Sequence, residues 1–590
     1  MMKNKLSLFV GACLMSGVVA STVLSPNTNQ QSGQIPSGHS ELQFNLSDGN
    51  WVQNLVLPTS ANDKDRISIN SNAGYTSFLD TSNTDLPIES LTISRGQSYH
   101  FVFDKNTAKW KVSPTVSYPT NGLNDYVVSN SNQMVQKVHV RNGQWARQIT
   151  LPSNVADGTL FNVVSEAGSH SNINPSNLLF PSSYVLKSGD SFWFKYSKEL
   201  AKWVPESITP QIIHVQKIAG KLSTIEAPLT EVIFSDGNWT TSLELPKTAK
   251  DRDRVIVKST ATWESKILNQ NINTQATLKL NRGDRYEFMY VADLAKWQLM
   301  SAPQLTVQAK DLNTQQMSDM RHPTARLKIA NANWQPNIAL PVKASIGDKV
   351  IVNSLAEWSS TITASNGLKK TISKGEDQRY LFTNTGWVED SHTIDMLLVN
   401  SPAVSKALGA NAAKIRAIES LDMTNIAAEN SNAQFYIRNV GYLEYRIPNS
   451  KALGDITGAG RDDKTIQNER NRVKADAVYY QGDEEGCGLA WVNKTPNAYN
   501  MIGTGSTNCG LTVMRHEFGH NMGLNHNDST DVARGFAHPL GSTIMGGNSL
   551  PFFSSPTLYH PKYGYQLGKV GSTDSLSLLN KNASAVSKFR

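Results

Sequence analysis

The feature that most constrains this 590-residue chain is a pattern that recurs four times. Trp51, Trp145, Trp239 and Trp334 lie 94, 94 and 95 residues apart. Each is followed seven residues later by a proline after leucine: Pro58, Pro152, Pro246 and Pro341. Gly96, Gly189, Gly283 and Gly375 come near the end of each unit, and Trp110, Trp203, Trp297 and Trp387 close it. A period this long lets each unit own a core, unlike the short repeats of a solenoid. Leu42, Phe44 and Leu46 alternate before the Asp48-Gly49-Asn50 turn, and Val255, Val257, then Tyr286, Phe288 and Tyr290 keep the same period of two. Apolar residues at every second position turn one face of a strand inward. The expected fold is therefore multidomain. Four tandem all-β, β-sandwich-like repeats at 38–114, 130–207, 224–301 and 321–390 lie as separate beads on polar linkers such as Tyr118-Pro119-Thr120-Asn121-Gly122, and an α+β domain at 391–590 follows.

Eleven of the twelve tryptophans fall in the repeats, so their roles need separating. A tryptophan fixed at both ends of every unit reads as core. A different position reads as surface. Twenty-four residues after each opening tryptophan stand Tyr75, Ser169, Trp263 and Trp358, in polar surroundings such as Thr262-Trp263-Glu264-Ser265. A core position does not readily accept serine, and an exposed aromatic face stacks on the apolar face of a sugar ring. Tyr75, Trp263 and Trp358 are thus candidate glycan-binding residues; the plainer reading is an aromatic that covers the edge of a sandwich.

The formal net charge of +7 is spread without a Lys/Arg block, which argues against nucleic acid as a partner. Lys3 and Lys5 precede an apolar stretch from Leu6 to Val19, and Val18-Val19-Ala20 ends in small residues. This is the pattern of a signal peptide over 1–20, so the expected location is secreted and extracellular, by way of the periplasm. Cleavage would remove Cys13 and leave Cys487 and Cys509 in the mature chain. In an oxidising compartment these two are expected to form a disulfide, the alternative being two buried thiols.

The segment that carries chemistry is His516-Glu517-Phe518-Gly519-His520-Asn521-Met522-Gly523-Leu524-Asn525-His526, or HExxHxxGxxH. With 12 histidines in the chain, a chance match is on the order of 10⁻⁵. Thr512 to Leu524 is expected to be helical, which puts His516 and His520, at i and i+4, on one face as two ligands of a zinc ion. Gly523 can take positive φ, end the helix and swing His526 in as the third ligand. The fourth position would be left for water. Glu517 would then be the catalytic base that takes the water proton and passes it to the leaving amine. One catalytic Zn²⁺ is the expected cofactor. Ile394–Val399, Phe435–Val440 and Ala475–Tyr480 read as strands of the same domain, Ala403–Ala427 as one helix, and Leu576–Phe589 as a last helix.

The motif resembles the zinc site of the metzincin clan of metallopeptidases, whose members carry a methionine-containing turn beneath the metal. Ser542-Thr543-Ile544-Met545-Gly546 fits that turn, with Met545 nineteen residues after His526. Pro551–Pro556 resembles the wall of the primed-side pocket in reprolysin-like members, and Gly486-Cys487-Gly488-Leu489-Ala490-Trp491 resembles their substrate-binding edge strand. The pattern departs from theirs where Asn527 precedes Asp528, and where Gly547 stands at a place some metzincins give to a tyrosine ligand. Tyr559, His538 and His560 read as packing or ordinary polar residues rather than as parts of the site. Signal, repeats and reprolysin-like domain together are similar to a group of secreted bacterial glycoprotein-targeting proteases. That resemblance implies cleavage of O-glycosylated host glycoproteins, type II secretion, a role in virulence and a dedicated membrane-bound secretion chaperone. The protease itself is expected to be a monomer. Two other readings stand beside it. One is a general secreted metalloprotease whose repeats are spacers or adhesin modules. The other is an adhesin with a relic metal site, which the complete His-Glu-His-His set argues against.

Overall fold

The computed structural model describes residues 21–180, 182, 184–312 and 314–590. The expected signal peptide over 1–20 lies outside the described residues. No helix among the described residues is long and apolar enough to cross a membrane. The chain divides into two compact units, one built on the first two repeats and one on the last two repeats and the C-terminal domain.

Each repeat is a sandwich of a larger and a smaller sheet. In the first, Glu41–Leu46 runs parallel to Arg66–Ser71, which pairs antiparallel with Ser98–Asp104, and that strand with Lys109–Val112. The facing sheet joins Asn54–Val56, Ser77–Asp80 and Ser90–Ile93. Leu42, Phe44 and Leu46 point into the space between the sheets and are buried, as their alternation requires. The closing tryptophans Trp110, Trp203, Trp297 and Trp387 are at most 1% exposed. In each repeat the indole Nε1 donates to the carbonyl of the repeated proline: Trp110 to Pro58 at 2.8 Å, Trp203 to Pro152 at 2.7 Å, Trp297 to Pro246 at 2.7 Å and Trp387 to Pro341 at 2.9 Å. That bond explains why the two anchors recur together: a buried indole needs an acceptor, and the proline supplies one at a fixed place.

The repeats are not separate beads. The linker strands Thr115–Ser117 and Leu123–Val127 join the two sheets of the second repeat, and Gln304–Gln308 joins the large sheet of the fourth. Met134, Val135 and Leu160 of the second repeat sit in the core of the first. In the other unit, Asp348 of the fourth repeat accepts from Thr277 N and Thr277 Oγ1 of the third, both at 2.7 Å. Polar composition marked these segments as linkers, but an unpaired strand beside a sheet edge finds its hydrogen bonds there.

The C-terminal domain is built on a five-stranded sheet. Its order is Phe435–Glu444, His392–Asn400, Ala477–Gly482, Ile502–Ser506 and Gly488–Ala490. The first four are parallel and the short last one, at the edge, is antiparallel. The expected single helix is two, Pro402–Leu408 and Ala410–Ser431. Gly409, at φ +87°, breaks the run, because that conformation cannot continue a right-handed helix. The longer helix, the motif helix Val513–Asn521 and the last helix Ser575–Val586 cover one face around Met396, Leu398, Phe435, Phe518 and Leu579. Tyr480, Val478 and Ile502 pack into a second core on the other face.

Candidate metal and catalytic site

The motif helix carries His516 and His520 on one face. Gly523 then turns the chain at φ +99°, where an added Cβ would stand 2.9 Å from Asn493 O. Asn582 of the last helix fixes this turn by donating to Met522 O at 2.9 Å. The turn brings His526 back so that its Nε2 lies 3.0 Å from Nε2 of His516 and 3.0 Å from Nε2 of His520. His516 Nδ1 lies 3.0 Å from Ile544 O and His520 Nδ1 2.8 Å from Leu524 O. A carbonyl only accepts, so these two rings carry their proton on Nδ1 and keep the Nε2 lone pair for the shared point. Burial lowers the pKa of His516, and that of His520 to about 4, which keeps both in the neutral form that ligates. Ligands ~2.0–2.1 Å from a tetrahedral metal are about 3.3 Å apart. The three nitrogens therefore fit a divalent metal, with His526 exposed toward solvent.

Glu517 stands outside this cluster of nitrogens. It is 5% exposed, and burial pushes its carboxyl up to about 8; a cation opposite it would act the other way. The space it occupies is made by glycines. A Cβ on Gly488 would lie 2.4 Å from Glu517 Oε1, and one on Gly503 would lie 3.4 Å from Glu517 Cβ. One on Gly505 would lie 1.9 Å from the Tyr479 hydroxyl. Gly488 opens the edge strand, so the strand on which a peptide could add itself passes directly beside the carboxylate. Cys487 and Cys509 are joined in a disulfide that fastens the start of this strand to the loop before the motif helix. Asn521 ties the other end, its Nδ2 donating to Trp491 O, Asn500 O and Ile502 O at 3.1–3.2 Å.

Met545 forms the floor. It is 2% exposed in the turn Ile544–Gly546, and a Cβ on Gly519 would lie 2.6 Å from its Sδ. Buried Arg515 holds the next residues, donating from Nε to Asn548 Oδ1 at 2.7 Å and from Nη2 to Asn548 O at 2.8 Å. Gly505, Arg515, Asn548 and Asn582 escaped sequence reasoning, as did the particular roles of Gly488 in the edge strand and Asn521 in the motif. Each acts through a backbone carbonyl or through space left empty, and neither leaves a spacing signal; only the glycine-rich Ile502–Ser506 hinted at a close approach.

The remaining candidates lie elsewhere. Tyr559 packs with Met289 and Val291 of the third repeat, and His538 stacks on Tyr565 with ring centroids 3.8 Å apart. His560 lies 4.9 Å from the same ring. Tyr75, Trp263 and Trp358 are 70%, 58% and 56% exposed. Each leans on the opening tryptophan of its repeat, with centroids 5.5, 6.1 and 5.7 Å apart. In the second repeat Ser169 is exposed, and Trp145 Nε1 donates to His170 O.

Comparison with known proteins agrees with this division. Residues 39–113, 133–207, 227–301 and 322–391 match the β-sandwich domain of the metalloprotease StcE. Residues 390–547 match metallopeptidase family M12 in its reprolysin-like form. A peptidyl-Asp metalloendopeptidase of Pseudomonas aeruginosa is 24% identical in an alignment 252 positions long that covers 34% of this chain and 40% of that protein's length. A solved structure described as a chaperone–substrate complex contains a chain 51% identical, with a TM-score of 0.88, aligned over 96% of this chain and 100% of that one. With StcE-type β-sandwich repeats and an M12 domain on one polypeptide, the chain belongs to the metzincin-like metalloproteases and resembles those of the CpaA type.

Proposed function

We propose that this chain is a secreted zinc endopeptidase that cleaves O-glycosylated host glycoproteins, with the repeats presenting sugar-binding surfaces. The observation that carries the reading is the convergence of three imidazole Nε2 atoms, 3.0 Å apart along two edges, beside a buried carboxylate at the opening of an edge strand. His516, His520 and His526 would hold the zinc. When bound, zinc supplies Lewis-acid polarisation of the scissile carbonyl and of the attacking water. The edge strand aligns the peptide by main-chain hydrogen bonds, which sets the scissile bond without demanding one side chain. Glu517 takes the proton of the attacking water and delivers it to the amine as the C–N bond breaks. Buried beside the edge strand at Gly488, the carboxyl is placed to hold that proton between the two steps. Tyr75, Trp263 and Trp358 offer aromatic faces for sugar rings on the substrate. The signal pattern supports export through the periplasm. The relative solved in a chaperone–substrate complex supports a dedicated chaperone as partner before release.

The test is digestion of a mucin-type glycoprotein before and after enzymatic removal of its O-glycans, with the Glu517→Ala variant as the blank. Cleavage that disappears with the sugar is the expected result. Cleavage that persists or rises would leave a general metalloprotease whose repeats are spacers.

A further inference from the structure

The third repeat touches the protease domain through a face that the second repeat uses to touch the first. In the second repeat, Leu160 pairs with Lys195 across two strands. Leu160 joins the core of the first repeat, and Lys195 Nζ reaches Thr92 Oγ1 at 3.4 Å. The same places in the third repeat hold Arg254 and Met289, paired across the equivalent strands. There the partner is the loop between Ser555–Tyr559 and Gln566–Leu567. Arg254 Nη2 donates to Lys562 O at 2.6 Å and Pro561 O at 3.1 Å, while Glu287 holds its Nη1 at 2.7 Å. Arg252 donates to Gly564 O. Met289 is fully buried against this loop, where a Cβ on Gly564 would lie 2.2 Å from its Sδ.

The loop so held reaches the metal ligands in a few contacts. Next to Gly564, Tyr565 stacks on His538 at 3.8 Å and donates its hydroxyl proton to Gly541 O at 2.7 Å. Residues 538–541 lead into the turn of Ile544 and Met545, and His538 N donates to Ser542 Oγ at 3.1 Å. Ile544 O is the acceptor that fixes the Nδ1 proton of His516. A metal-ligating histidine keeps its orientation only as well as the acceptor behind it is held.

We propose that the third repeat is part of the catalytic unit, with Arg252 and Arg254 as positioning residues that brace the 559–565 loop and, through Tyr565, the floor that orients His516. The inference rests on the metal-site reading above, and it gives this repeat a task that involves no sugar. In the other direction, it explains why Arg254, which donates to carbonyls of the protease, stands where the second repeat has the apolar Leu160. The fourth repeat reaches the same domain elsewhere, through Lys349 Nζ on Asn432 Oδ1 and Arg326 on Glu429.

The experiment uses the full zinc-loaded chain and its Arg252→Ala/Arg254→Ala variant, with Arg254→Lys as a milder change. Lys258→Ala is the control, because Lys258 pairs with Glu231 inside the repeat. The primary readout is the rate at which zinc passes to a colorimetric chelator, followed by amide hydrogen exchange over 538–545 and 559–565. Loss of the partner behind a ligating histidine costs about 10–100-fold in metal affinity. At one remove, zinc release about 3–10-fold faster is expected in the double variant, with a smaller rise in Arg254→Lys and none in the control. Exchange should quicken in both segments. A folded double variant that releases zinc and exchanges like the wild type overturns the proposal. If the double variant does not fold, Arg254→Lys decides by the same rates. If the wild type itself binds no zinc, it is the metal-site reading that has failed.

Discussion

The closing tryptophans of the repeats and the motif histidines of the protease domain use their ring nitrogens in opposite ways. In every repeat the closing tryptophan is sealed in the core, and its single donor is consumed by a proline carbonyl. In the protease domain, the histidines of the motif helix use their Nδ1 atoms on carbonyls and leave Nε2 lone pairs facing His526, beside a carboxylate stripped of water. The first arrangement lowers the energy of the fold. The second raises it, and persists because glycines, Arg515 and asparagine side chains leave the helix nowhere else to go. A ring that only has to pack gives up its one donor to a fixed acceptor, whereas a ring that has to bind a cation keeps a lone pair in reserve.

This contrast can be broken by experiment. Stripping the metal with a chelator should abolish activity and destabilise the protease domain by about 4 kcal/mol relative to a thousandfold excess of ligand over its Kd. Differential scanning calorimetry should show the transition of the first two repeats, which form a compact unit of their own, unmoved; a matching shift there would break the contrast. Replacing the base is next in size. Glu517→Ala should retain one metal per chain by elemental analysis while peptide cleavage falls about 10³-fold. Retention of full turnover would remove Glu517 from the chemistry.

On the side of the repeats, Trp297→Phe keeps most of the apolar volume but leaves the carbonyl of Pro246 buried without a partner. Denaturant unfolding should register a loss of roughly 1–3 kcal/mol. No loss would show that the indole serves by volume alone. The smallest effect is expected at the exposed aromatics: Trp263→Ala and Trp358→Ala should change stability by less than about 0.5 kcal/mol. They should nonetheless slow cleavage of a glycoprotein relative to a small peptide. A stability change as large as that of Trp297→Phe would place these residues with the core.

Much of this was legible in the residues because it is periodic. Alternation at Leu42, Phe44 and Leu46 reports a buried face, and i, i+4 spacing at His516 and His520 reports a shared one. Recurrence with serine at one place separated Trp263 and Trp358 from the closing tryptophans, and their exposure follows that division. The opening Trp51, Trp145, Trp239 and Trp334, also read as core, are only half-buried, because each packs at the rim of its core. What lacked a period was missed. The linkers looked polar and became strands. One long helix became two at Gly409, since a single glycine inside a good helical run has no fixed meaning until its φ is known.

By itself, then, the sequence determined the four repeats, the helix that carries two ligands and the turn that returns the third, because each follows from distances of a few residues along the chain. Only the tertiary structure decided what lies across space from them: that Gly488 makes room for Glu517, that Ile544 sets the proton of His516, and that Arg254 of the third repeat grips the loop at Lys562. These contacts join residues up to 308 positions apart. They end on backbone carbonyls or empty space, which every residue can provide and no residue type announces.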